Sequence, residues 1–286
     1  MLYIHNYYAN DWHAERVRYA YPDTLVAEAP FALAEARRGA LFVANHSGGK
    51  DSAAMLIAMV ISGVPLQQIV VVHASLGEAE WPGALEYARD HAQSLGLPFV
   101  VARAGKTLFG MVERRHATRP EIPCWPSAST RQCTSDLKRG PIAREVRRFA
   151  DANGYTRVIS CMGFRADESS ARSKRSIWLE NRTQTNGKRT WIDWLPIHSW
   201  SVDQVFKAIR AAGRVPHPAY RGNDRLSCVF CIMGSDRDIQ NGARENPELF
   251  EKYADLEDRT GYTMHMSRRS LREIASPPDR GTEGSQ

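Results

Sequence analysis

No stretch of this 286-residue chain stays apolar long enough to cross a membrane. The most apolar run, residues 53–64, falls short of the roughly 20 residues a spanning helix needs. The opening Met1-Leu2-Tyr3-Ile4-His5-Asn6-Tyr7 lacks the basic and apolar regions of a secretory signal, so the expected location is the cytoplasm, with no membrane partner. Cysteine is scarce, with five in the chain. In that compartment they are unlikely material for a disulfide framework and read instead as buried residues, metal ligands or redox groups. Internal repeats are missing as well. Acidic charge is in deficit: 38 Lys and Arg stand against 32 Asp and Glu, a net charge of +6. That balance favours an anionic substrate or partner, and nucleotide, sulfated nucleotide, tRNA and DNA all fit it.

The most informative residues present are Ser47-Gly48-Gly49-Lys50-Asp51-Ser52. An apolar run, residues 41–44, precedes them and another, residues 53–60, follows, so the pattern reads strand, glycine turn, helix. Such a turn lets backbone N–H groups close around phosphate oxygens, while the helix adds its positive end. Ser47 and Ser52 can donate to phosphate and Lys50 can balance its charge. Asp51 would be costly beside phosphate unless it helps hold Mg²⁺ or caps N–H groups. The usual P-loop spacing, with four residues between its first glycine and the Gly-Lys pair, is missing. A plain glycine turn before a helix explains the same residues without a ligand.

Further along, the chain alternates buried strands with helices. A helix is expected over 27–36, with Pro30 near its start, and the N-terminal segment 1–40 is expected to pack on the core through Tyr7, Tyr8 and Trp12. Strands are expected at 41–44, 69–72, 99–102, 157–162 and 191–195. Helices are expected from about Asp51, from Pro82 to about Leu95, over 142–152, from a capping box at Ser201-Val202-Asp203-Gln204 to about Ala212, and from Asn246-Pro247 to near Arg259. Residues 114–141 read as a long functional loop. A C-terminal helical extension occupies 235–276, and the tail 277–286 has almost nothing to bury. This alternation predicts the α/β class: an open, mostly parallel twisted sheet with helices on both faces. Ligands in such sheets sit beyond the strand C-termini. Three polar turns belong there: residues 47–52, 73–78 (with His73) and 163–168.

The third turn opens Gly163-Phe164-Arg165-Ala166-Asp167-Glu168-Ser169-Ser170-Ala171-Arg172. Arg165 and Arg172 suit phosphate or sulfate oxygens, and Glu168 can orient one of them or reach a ribose. A solvated turn with weak ion pairs is the bland alternative. Arg131, Lys138 and Arg139 add cations; Lys138 is placed at a helix start, where the dipole disfavours it unless an anion is near.

Cys228-Val229-Phe230-Cys231 has the spacing of zinc and iron–sulfur sites and also of redox pairs. With Cys124 and Cys133 it offers four thiolates for one centre. The spacing leaves iron–sulfur, zinc, metal-free thiol chemistry and inert cysteine all open. Cys161, inside an apolar strand, reads as core.

Taken together, Ser47-Gly48-Gly49-Lys50-Asp51-Ser52, Val72-His73-Ala74, Gln132-Cys133-Thr134-Ser135-Asp136-Leu137-Lys138 with Pro141-Ile142, the turn from Gly163, and Cys228-Val229-Phe230-Cys231 resemble the phosphoadenosine phosphosulfate reductase-like branch of the ATP-pyrophosphatase (PP-loop) superfamily. The resemblance runs over about 41–234 and implies an adenine nucleotide alpha-hydrolase-like fold. It implies binding of ATP with Mg²⁺ at Ser47–Ser52, His73, Gly163, Arg165 and Arg172, and catalysis by Lys50, Asp51, Lys138, Arg165 and Glu168. It tilts Cys124, Cys133, Cys228 and Cys231 towards a [4Fe-4S] cluster, with zinc as the alternative. Two departures bear on the reaction. No cysteine follows Cys231, so the Glu-Cys-Gly-Leu-His motif of the true reductases is missing. Ser75 stands where relatives carry an aspartate, moving any carboxylate role to Glu78 or Glu80. The missing thiol favours an ATP pyrophosphatase that activates DNA for backbone phosphorothioation, with a cysteine desulfurase as sulfur donor. Sulfonucleotide reduction, tRNA thiolation and a non-catalytic nucleotide-sensing subunit are the alternatives.

Overall fold

The computed structural model describes residues 22–276. Tyr7, Tyr8, Trp12 and the tail 277–286 lie outside that range. The chain forms two compact units interleaved along the sequence: residues up to 75, 83–102 and 141–217 build the first, and residues 76–82, 103–140 and from 218 onward build the second.

The first unit is built on six strands: β1 (Leu41–Asn45), β2 (Ile69–Ser75), β3 (Phe99–Arg103), β4 (Arg157–Cys161), β5 (Trp178–Glu180) and β6 (Thr190–Trp194). Their order is β3-β2-β1-β4-β6-β5. β1 pairs in parallel with β2 and with β4, and β4 with β6, while β5 runs antiparallel along β6 at the edge. The strands are apolar because both faces are covered. Phe42, Ala44, Val71, Ile159 and Trp194 pack on one face with helices α1 (Pro22–Arg37), α2 (Lys50–Ile61) and, near the chain's later part, a helix over Val202–Ala211. Leu41, Val43, Val70, Val72 and Val158 face the opposite way, onto Ala143, Val146 and Ala150 of the helix Gly140–Ala152. The open, mostly parallel α/β sheet read from the sequence is therefore the fold observed.

In chain order the remaining helices are α3 (Ala84–Ser94), α4 (Leu108–Thr118), α5 (Gly140–Ala152), α6 (Val202–Ala211), α7 (Asp236–Glu245), α8 (Pro247–Thr260) and α9 (Leu271–Ala275). The capping box at α6 forms in full: Ser201 Oγ accepts from the Gln204 N–H and Gln204 Oε1 from the Ser201 N–H. Several expectations need correction. α1 begins at Pro22, so Pro30 lies in its interior. α3 begins after Pro82, because Gly83 takes φ +85° as its N-cap. The expected long loop 114–141 is shorter, because α4 runs to Thr118 and a π-helical turn at Ser135–Arg139 leads directly into α5. β5 had no counterpart in the sequence reading, and α7 and α9 fall within the helical extension expected over 235–276 without having been placed individually.

The second unit gathers α4, α7, α8 and α9 around Phe109, Trp125, Phe230 and Tyr253. Trp125 stacks on Tyr253 at 5.8 Å, and Phe109 meets the same ring edge-on at 4.7 Å. Glu257, buried, ties the unit's end together by accepting from the N–H groups of Met264 and Leu271. Among the described residues no helix is long and apolar enough to cross a membrane.

Candidate functional site

The strand order reverses between β1 and β4, and in open α/β sheets the crevice at such a switch point takes the ligand. Asn45, at the end of β1, bridges the divide: its Nδ2 donates to Ser160 Oγ (3.0 Å) and to the Cys161 carbonyl (2.8 Å). The glycine loop leaves β1 there, and the loop bearing Gly163 leaves β4 beside it. The two loops touch through backbone. A Cβ on Gly163 would come within 2.6 Å of the Asp51 carbonyl oxygen, so only glycine permits the approach. Gly48 is equally constrained, by φ +79° and by the Ala84 carbonyl oxygen 2.5 Å from where its Cβ would stand.

Charge closes the same junction. Asp51 Oδ2 pairs with Lys50 Nζ at 3.1 Å, and Asp51 Oδ1 accepts from Arg165 Nε at 2.7 Å. Arg165 is buried and also reaches Asp167 and the Trp200 carbonyl. Burial opposes its charge, but the Asp51 and Asp167 carboxylates outweigh that and hold its pKa above the usual value. Glu168 accepts from the Arg165 N–H (2.9 Å) and forms an ion pair with Arg172. The Arg172 guanidinium lies over the Phe164 ring, 4.5 Å from its centroid. Lys50, Asp51, Gly163, Arg165, Glu168 and Arg172 are thus brought together at the switch point. Ser52 Oγ donates to the Gly49 carbonyl (2.8 Å) and accepts from the Ser47 N–H (3.2 Å), bracing the loop from within.

His73 is buried, and its Nδ1 donates to the His46 carbonyl at 2.8 Å, so it supports the loop's backbone. Sequence reasoning passed over three residues here. Asp167 is the second carboxylate on Arg165. His46 immediately precedes the loop and could have been suspected from that position. His91, bonded to His46, lies 45 residues away and carries no local signal.

The remaining expected residues belong to the second unit. Arg131 is exposed, in a left-handed conformation (φ 43°), with its Nε donating to the Ala128 carbonyl. The groups facing the Lys138 ammonium and raising its pKa are chiefly Cys228, then Cys231, Cys133 and Glu80. The polar surroundings of Lys138 are therefore supplied within the chain, with Glu80 as their carboxylate. Glu78 pairs with Lys252, and Glu80 closes its own turn on the Leu76 N–H. Cys228 lies beside Glu80 through a β-bridge, and burial pushes its thiol pKa up while Lys138 pulls it down. Cys124 sits in the apolar cluster with Trp125. Among the described residues no three His, Cys, Asp or Glu side chains are grouped to hold a metal ion. Lys138 stands among Cys133, Cys228 and Cys231, while Cys124 lies in the apolar cluster against which Cys133 also packs. Neither the [4Fe-4S] cluster nor zinc fits the side chains as they stand.

Residues 42–234 match the family described as the phosphoadenosine phosphosulfate reductase domain. The chain belongs to this family. It is 27% identical over 255 residues to an uncharacterized 37.8 kDa protein in the gpa 5′ region of Escherichia phage 186, covering 75% of this chain and 74% of that one. It is 24% identical over 224 residues to an uncharacterized protein of Methanocaldococcus jannaschii, covering 76% of this chain but only 48% of that protein. Similar solved structures include a phosphoadenylyl-sulfate reductase from Candida auris in a phosphate complex (TM-score 0.42, 13% identity, 68% of this chain and 86% of that one). Another is the U34-tRNA thiolase of Methanococcus maripaludis with its [4Fe-4S] cluster (TM-score 0.39, 12% identity, 93% and 76%).

Proposed function

We propose that this family member is an ATP pyrophosphatase that activates an acceptor for sulfur insertion, with the DNA backbone as acceptor and a cysteine desulfurase as sulfur source. The observation that carries the reading is the sharing of Asp51 between Lys50 and Arg165 where the two loops abut. In the proposal, the β- and γ-phosphates of ATP settle on the glycine loop and the first turn of α2, whose N–H groups have no partner within the helix. Lys50 and Arg165 exchange Asp51 for phosphate oxygens, and the released carboxylate is free to hold Mg²⁺. Arg172, oriented by Glu168, faces the α-phosphate or the incoming backbone. The acceptor oxygen attacks the α-phosphorus, the bond to the β-phosphate breaks and pyrophosphate leaves. The outer sulfur of a persulfide on the desulfurase then attacks the activated phosphorus of the acceptor and AMP leaves; a second thiol cleaves the remaining S–S bond, leaving sulfur on the acceptor and a disulfide on the donor side. No step runs through a metal cluster.

Product analysis of the purified chain with Mg²⁺–ATP, with and without DNA and a desulfurase, tests this. AMP and pyrophosphate are expected; ADP and phosphate would overturn it. The family to which the chain belongs supports a second reading, reduction of phosphoadenosine phosphosulfate. Release of sulfite from that compound in the presence of a thiol reductant would install it instead.

A further inference from the structure

The segment just before the glycine loop holds a pair of buried imidazoles. His46 and His91 are 1% and 2% exposed, and His46 Nε2 lies 3.1 Å from His91 Nδ1. On its other side, His46 Nδ1 accepts from the Gly48 N–H at 3.1 Å. A peptide N–H can only donate, so Nδ1 must be the unprotonated nitrogen. The ring proton is then on Nε2 and donates to His91 Nδ1, which places the His91 proton on its own Nε2. One tautomer chain is forced along the whole array. Its far end is anchored in α3, the helix whose Ala84 carbonyl also abuts Gly48. The His46 carbonyl, in turn, is held by His73.

This arrangement commits the Gly48 N–H to His46. Within the loop, Gly48 therefore sets the backbone path and the helix N-terminus that follows does the binding. A proton on His46 Nδ1 would set donor against donor and release Gly48. The charged or titratable groups facing His46 are His91 from α3, His73 from β2, and Arg214, which follows α6; the Tyr87 ring lies 6.2 Å away. All three of the former oppose a charge on the ring.

We propose that His46, locked by His91, is a positioning residue: its neutral Nδ1 holds the Gly48 N–H and so shapes the glycine loop to accept a nucleotide's phosphates. This rests on the nucleotide-binding reading given above. The test compares His46→Asn with His46→Gln in the full chain. The asparagine Oδ1 falls close to the position of Nδ1 and keeps the acceptor; glutamine reaches towards the Nε2 position and loses it. With the α,β-methylene analogue of ATP plus Mg²⁺, the His46→Gln dissociation constant should rise about tenfold, the worth of one lost buried hydrogen bond, and His46→Asn should stay within about threefold of wild type. The Gly48 amide resonance in ¹⁵N spectra of the ligand-free chain should move in His46→Gln and keep its place in His46→Asn. Equal weakening in both variants, or an unmoved Gly48 resonance in His46→Gln, would overturn the proposal. A wild-type chain that binds no analogue would sink the nucleotide reading while the amide comparison still decides the role of His46. Should His46→Gln fail to fold, the His46→Asn arm remains decisive: binding weakened tenfold despite a wild-type melting temperature would reject the acceptor role.

Discussion

In the sheet unit, the charges at the strand ends are matched with opposite charges. Asp51 joins Lys50 to Arg165 across 114 residues of sequence, and Glu168 pairs with Arg172. In the second unit, the Lys138 ammonium faces three cysteines and one glutamate, and burial holds the Cys228 thiol up. The first arrangement is rigid through backbone contact: Gly48 against Ala84 and Gly163 against Asp51 leave no room for a side chain. The second is held by aromatic packing around Tyr253, with the cysteines at its margin. The sheet unit therefore carries the backbone-braced junction on which the proposed nucleotide binding rests. The cysteine region is a polar edge on an apolar core.

The largest expected effect tests that rigidity. Gly48→Ala must adopt φ +79° and drive a methyl into the Ala84 carbonyl, costing roughly 4 kcal/mol of folding stability and removing nucleotide binding. Gly154→Ala is the matched control: it has a similar φ of +74° but nothing within 4 Å, so about 1 kcal/mol is expected. Urea unfolding of both variants compares them. Similar losses would mean that conformation, not loop packing, is what glycine supplies at 48.

Next in size is Arg165→Leu. The residue is 4% exposed and serves two carboxylates, so its removal leaves Asp167 without its guanidinium partner and Asp51 with Lys50 alone. A loss of about 3 kcal/mol is expected, together with loss of AMP formation. Restoration of stability by the second substitution Asp167→Asn would confirm that the unpaired charge is the cause. If Arg165→Leu melts like wild type, the junction between the two loops is not held by this pairing.

How much of this was readable beforehand differs between the two regions for a physical reason. β1, the glycine turn and α2 are signalled locally, by an apolar run, two glycines and another apolar run. The α6 capping box is likewise written in four adjacent residues. α7 falls in the expected helical extension 235–276 but was not placed individually because, between its termini, Asp236–Glu245 offers Ile239 as its one large apolar residue; its Ser235 and Asp238 capping pair was the readable sign. β5 spans three residues at an edge and is too short for periodicity to register. The His46–His91 contact and the place of Lys138 among the thiols depend on tertiary packing, to which spacing along the chain is blind. Cysteine spacing suggested one centre; in the fold Lys138 stands among Cys133, Cys228 and Cys231, and Cys124 lies in the apolar cluster on which Cys133 also packs.

A smaller effect is expected from pH. Burial first, then His91, His73 and Arg214, holds the His46 pKa well below its ordinary value; burial, then Arg214, lowers His91 to about 3. Both are bases whose folded pKa is depressed, so the unfolded chain takes up protons below about pH 6.5 that the folded chain refuses. Stability is full above that pH and falls with acidification, by about 1.4 kcal/mol per pH unit for each histidine, down to about pH 3 for His91. Urea midpoints between pH 7.5 and 5.5 measure the slope. His46→Asn should flatten it by about half, and an unchanged slope would show that these rings titrate alike in both states.

The smallest effect sharpens the contrast within the cysteines themselves. Cys124 is 1% exposed in apolar surroundings, so Cys124→Ser buries a hydroxyl and should cost about 1–2 kcal/mol. Cys231 is half-buried at the margin, and Cys231→Ala should cost less than about 1 kcal/mol. If the cysteines act as separate thiols, the two losses add in the double variant, and strictly anaerobic protein contains neither iron nor zinc in stoichiometric amount. If instead they ligate one metal, either substitution alone empties the centre, the double variant is no worse than the single ones, and metal analysis of wild type shows it directly. That outcome would require Lys138 to move from among the thiols, a rearrangement that a crystal structure of the anaerobic protein would display.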